Sequence, residues 1–126
     1  EQSPKEVVSN FFIAFHAKDT VALKSYCHQE IILQTIQTKN EINQLKKDNL
    51  STFLKNIATI PNHITFKEKI LDFKVEKDDI LAHVWTPYQF YINEKLNHYG
   101  INSFTLININ GLWKIIHLID TRKKYY

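Results

Sequence analysis

Residues 97–121 read NHYGINSFTLININGLWKIIHLIDT. Two runs rich in β-branched and aromatic residues, 97–109 and 112–121, flank Asn110-Gly111. Asn-Gly between such runs is a hairpin signal, because both central residues of a type I′ turn need positive φ. Working backwards, residues 80–92 form another long strand pattern, and Asn93-Glu94-Lys95 separates it from the hairpin. Lys77-Asp78-Asp79 marks a further turn, preceded by a strand over about 64–76. The C-terminal half is therefore read as a four-strand meander. Pro87 lies inside the second strand and cannot donate a ladder hydrogen bond, which predicts a bulge or bend there.

The N-terminal half is mostly helical. Ser3, Pro4 and Glu6 form a capping box with Pro at the first helical position. Val7, Phe11 and Phe15, joined by Val8 and Phe12, make one broad apolar face, and the helix should run to about Lys18. Asp19 caps a short second helix carrying Val21, Leu23 and Tyr26. Residues 31–38 read as a strand and 39–47 as a polar loop; Asp48 then caps a third helix that stops at Ile60-Pro61. This order implies an α+β domain spanning 1–126, in which a curved sheet buries one face under the helices. The last strand reads as apolar on both faces, with Trp113, Ile115, His117 and Ile119 on one side and Ile116, Leu118 and Asp120 on the other. A strand buried on both faces needs a cover, and a second copy of the chain is the simplest one.

Bulk properties narrow the function classes. The net charge is +3, and the densest basic run, Arg122-Lys123-Lys124, has no accompanying basic stripe, so no nucleic-acid partner is expected. No apolar run is long enough for a membrane span. The single Cys27 excludes an internal disulfide and reads as a buried, inert thiol on a helical stretch. Six histidines show no metal-ligand spacing, and no cofactor motif occurs, so neither metal nor cofactor is expected. The chain lacks methionine and opens Glu1-Gln2, which suggests a trimmed start and favours a secreted or periplasmic product.

The helix end Phe15-His16-Ala17-Lys18-Asp19 and the closing Asn110-Gly111-Leu112-Trp113-Lys114-Ile115 resemble the nuclear-transport-factor-2-like superfamily. Ala82-His83-Val84-Trp85-Thr86-Pro87-Tyr88, His98 to Phe104 and Ile119 to Lys123 resemble its bacterial subgroup labelled SnoaL-like or lumazine-binding. The resemblance implies a cystatin-like cone: a mixed or antiparallel sheet wrapped over the long first helix, with a pocket at its open end. It also implies a choice among isomerases, cyclases, dehydratases and noncatalytic binders.

Candidate pocket residues follow from strand parity. His98, Gly100, Asn102 and Phe104 share a face, with His98 and Asn102 about 13 Å apart. Gly100 between them would leave space for a ligand. Trp85 and Tyr88 offer flat apolar surfaces with one polar tip each. Asp120 follows an apolar run and needs a partner if buried; Arg122 or His98 could supply it. The expected ligand-binding set is Phe15, Tyr26, Trp85, Tyr88, His98, Asn102, Asp120 and Arg122, with Asp120 and His98 as candidate catalytic groups. Three readings compete: a small-molecule binder, an isomerase-type enzyme using a pocket carboxylate or His as general base, and a homodimeric interaction module.

Overall fold

The computed structural model describes residues 2–124. Helix α1 (Pro4–His16) starts from the full Ser3–Glu6 capping box, and Asp19 caps α2 (Thr20–Tyr26) through a bond from the Ala22 N–H. The first helix ends two residues earlier than Lys18, which takes a positive φ of 55°. Strand β1 (Cys27–Lys39) follows α2 directly, so Cys27 opens a strand and does not lie on a helix. Its Sγ donates to the Leu23 carbonyl, and burial pushes the thiol up to about 12.

Residues 39–47 are not a loop. Ile42–Asp48 form strand β2, paired antiparallel to β1 around a two-residue turn, with Asn40 and Glu41 both at positive φ. Every β2 residue is exposed. An edge strand with polar groups on both sides lacks the alternation that betrays a half-buried one. Helix α3 (Leu50–Ala58) is capped by Asn49, whose side chain accepts from the Thr52 N–H; Asp48 accepts from the Asn49 N–H one step earlier.

The expected 64–76 strand is two pieces, β3 (Phe66–Ile70) and β4 (Lys74–Lys77), both paired with β5 (Leu81–Ile92). The interruption opposite Pro87 therefore falls in its partners. β5 itself runs through Pro87 with unbroken register to β6 (Lys95–Ile109), and the Pro87 carbonyl accepts from the Leu71 N–H. The proline contributes an acceptor where a donor is not needed. β6 and β7 (Leu112–Lys124) form the Asn110-Gly111 hairpin, with φ of 53° and 88° at the turn. The sheet order is β2-β1-β7-β6-β5-β3, all antiparallel except β1 against β7. Its concave side packs on α1: Phe11 and Phe12 meet the fully buried Phe104 edge-on at 5.6 and 5.7 Å, and Val8, Leu23, Val84, Leu106 and Ile115 complete the core.

A register shift inverts one sequence-based reading. Thr105 pairs with His117, but Leu106 pairs with Ile115, so Ile116 is an extra residue in β7. Trp113, Ile115, Leu118 and Asp120 thus share the concave face, while His117 and Ile119 turn outward opposite Thr105 and Ser103. The outer face is mixed and not apolar. It carries a hydrogen bond between His117 and Gln34 and another between His83 and Ser103, beside the exposed rings of Trp85 and Tyr99.

Candidate functional site

Between the concave face, α1 and α3 lies a cavity of about 850 Å³, within the range of small-molecule sites. Its inner wall is aromatic: Phe11, Phe12, Phe15, Phe53, Phe90 and Phe104. Phe15 touches Phe66 edge-on at 5.1 Å, Phe66 stacks on Phe90 at 6.3 Å, and Phe90 stacks on His98 at 4.8 Å. His98 Nδ1 also meets Asn97 Oδ1 at 2.8 Å. Burial, with Arg122 nearby, drops the His98 imidazole to about 4, so it stands neutral at pH 7.

The polar floor comes from four strands. Asn102 on β6 is buried and donates from Nδ2 to Glu68 Oε2 at 2.6 Å. Glu68 sits on β3, paired in register with Phe90, whereas Asn102 pairs with Thr86 and with Asp120. The curl of the sheet closes this gap. Asp120 on β7 accepts from Thr35 Oγ1 at 2.6 Å and from Arg122 Nε at 3.0 Å. Arg122 is thus the partner that the sequence offered, and Thr35, from the parallel strand β1, is the one it did not.

Glu68 is the group that strand parity missed. Its carboxyl is pushed up to about 7, first by burial and further by the neighbouring Asp120; the bond from Asn102 and the charge of Arg122 only partly offset this. Its own N–H donates to His16 Nε2 at 2.9 Å, which ties the β3 edge to the end of α1. That bond requires a neutral His16, and burial does lower the His16 pKa. A usable signal exists in the sequence. Phe66, Glu68 and Ile70 share one face of β3 and Lys67 and Lys69 the other, so Glu68 is a charged residue at an apolar position.

Of the expected ligand-binding residues, Phe15, His98, Asn102, Asp120 and Arg122 line the cavity. Three do not. Trp85 lies on the convex face at 39% exposure, because Val84 and Thr86 hold the concave positions. Tyr88 is only 2% exposed, and its hydroxyl donates to the Thr121 carbonyl at 2.6 Å in place of a ligand. Tyr26 packs against the helix-side core. Gly100 does not leave space: a Cβ there would lie 2.0 Å from the Thr121 carbonyl oxygen. The glycine permits close approach of β7, and Tyr88, its cross-strand partner on β5, donates to the same carbonyl.

No family profile matches the chain, and no curated protein matches it in sequence. Solved structures do match. A nuclear-transport-factor-2-like protein of unknown function from Shewanella baltica superposes with TM-score 0.67 at 13% identity, over 96% of this chain and 91% of its own. The chain has the nuclear-transport-factor-2-like, cystatin-like fold. A cystatin-like protein of unknown function from Nostoc punctiforme gives TM-score 0.71 at 10% identity, covering 98% of this chain and 95% of its own. A candidate ketosteroid isomerase from Shewanella frigidimarina gives 0.67 at 11%, covering 90% of each. Identities this low carry the architecture, and this architecture hosts many chemistries.

Proposed function

We propose that the chain binds a small, partly aromatic organic molecule in the cavity and that Glu68 exchanges a proton with it. The observation that carries this reading is the Glu68 carboxyl at the floor of an aromatic-walled cavity, oriented by Asn102 and pushed up to about 7 by its burial there. An acid poised near neutrality can act as general base or general acid at working pH. Asp120 is less suited, because both of its oxygens are engaged by Thr35 and Arg122. The reaction class that fits is removal of a proton beside a carbonyl and its return to a neighbouring carbon, with Glu68 carrying the proton between. The candidate ketosteroid isomerase among the structural neighbours is compatible with this class. The test is exchange of α-protons of cyclic ketones in D2O, followed by NMR. Exchange accelerated by the native chain and abolished by Glu68→Gln supports the reading; equal exchange by both chains refutes the role of Glu68.

A second reading concerns assembly. The convex face presents Trp85 and Tyr99, 39% and 40% exposed, with Ile101 between their rows on β6 and Ile119 across Ser103 from Trp85. A second copy packed across this face would cover those rings. Sedimentation of the native chain against Trp85→Lys checks this: a dimer that the substitution dissociates supports it, and a native monomer removes it. No helix among the described residues is long and apolar enough to cross a membrane.

A further inference from the structure

The aromatic wall and the acid floor leave the outer part of the cavity unexplained. There the lining is cationic. Lys39 from β1, Lys46 from β2, and Arg122 and Lys124 from β7 border it on the concave side, against the single rim acid Asp48; Lys123, in register with the outward Tyr99, lies at its edge. The placement follows from register. Thr35 pairs with Lys46 on one side and with Asp120 on the other, which puts Lys46 on the concave face. Gln37 pairs with Arg122; one repeat further along the same two parallel strands stand Lys39 and Lys124. Like charges at neighbouring positions of one sheet face repel. Among the described residues the one ion pair is Arg122–Asp120, made through Nε; none of these four lysines has a carboxylate partner. The Arg122 terminal nitrogens likewise have no protein acceptor among the described residues. Their planar fork matches a carboxylate. His98 beside them is neutral at pH 7 and adds no charge.

We infer that the ligand is an amphipathic organic acid, with a ring or apolar body against the phenylalanines and a carboxylate at the rim, held by Arg122 and the lysines of β1, β2 and β7. This deepens the ligand-binding reading and rests on it. A head-group anion at the rim pairs with cations that otherwise face only water, while the body reaches the Glu68 floor. The charge at the mouth also draws such an acid in before contact.

The test uses three probes of one shape: 2-naphthoate, 2-naphthylmethanol and 2-naphthylmethylammonium. Each is titrated into the full chain, with NMR shifts of Asn102 and His98 reporting occupancy of the cavity. The acid should bind about tenfold tighter than the alcohol. That preference should shrink at high salt and in Lys39→Gln/Lys124→Gln, two rim positions outside the core. If the alcohol or the ammonium binds as well as the acid, the head-group assignment is overturned and the cavity reading stands. If none of the three shifts Asn102 or His98, both fall.

Discussion

Replacing Glu68 by Gln should make this protein more stable at alkaline pH and leave it unchanged at acid pH. Gln keeps the shape and the acceptor oxygen for Asn102 Nδ2 but cannot ionise. In the native chain the carboxyl rises from 4.5 to about 7. At about 1.4 kcal/mol per pH unit, holding ionised Glu68 in the fold costs about 3 kcal/mol. The folded state binds this proton more tightly than the unfolded one, so the carboxyl lowers stability as pH rises from about 4.5 to about 7. Below that window it is protonated in both states and imposes no cost; above it the full cost applies. His98 acts in the opposite sense. Its imidazole is held down at about 4, so the stability it contributes is present above 6.5 and is lost as pH falls from 6.5 towards 4. In the native chain the two effects oppose each other across their shared window. The substitution should uncover the His98 limb as a fall in stability below pH 6.5. Urea unfolding at pH 4.0, 5.5, 7.0 and 8.5, read by Trp fluorescence, measures this. At pH 8.5 Glu68→Gln should gain about 3 kcal/mol, roughly 10 °C in Tm. A gain of the same size at every pH, or a loss at pH 8.5, would refute the argument that Glu68 is a desolvated acid.

Three further outcomes follow from the packing. Gly100→Ala should destabilise by about 3 kcal/mol or more in a urea titration, because the closest clash is with the backbone carbonyl of Thr121, which cannot swing aside as the neighbouring Thr121 Oγ1 can; a cost under about 0.5 kcal/mol would mean that β7 yields there. Thr86→Val should stabilise by about 1 kcal/mol by calorimetry, since Thr86 Oγ1 is fully buried with no hydrogen-bond partner; a loss would reveal a partner for that hydroxyl. Cys27 should resist iodoacetamide in the native chain at pH 8 and react only on unfolding, because its thiol is buried and pushed up to about 12; rapid native labelling followed by mass spectrometry would contradict this.

The polar floor of the site is built on strands. Glu68, Asn102 and Asp120 sit on three strands of one sheet, and their backbones are held by ladder bonds to both sides or, at the β3 edge, by His16. A site built on strands holds its geometry better than one built on loops. The aromatic wall adds rigidity through the linked rings of Phe15, Phe66, Phe90 and His98.

Local chemistry determined much of this protein before any fold was visible. The Ser3–Glu6 box, the Asp19 cap, the Asn93-Glu94 and Asn110-Gly111 turns and the strand runs act within a few residues of themselves, and each is legible in a single sequence. Parity was enough to put His98, Asn102 and Phe104 on one wall. It failed wherever one extra residue enters a strand, because a period of two cannot reveal an insertion of one. The added Ile116 exchanges the two faces of β7 from that point on. Tertiary structure alone decided the floor of the cavity. Asn102 meets Glu68 across 34 positions of chain, and Asp120 meets Thr35 across 85. Only a curled sheet with a parallel β1–β7 pair brings those groups together, and the burial it imposes turns Glu68 from a surface-like charge into an acid that titrates near neutrality.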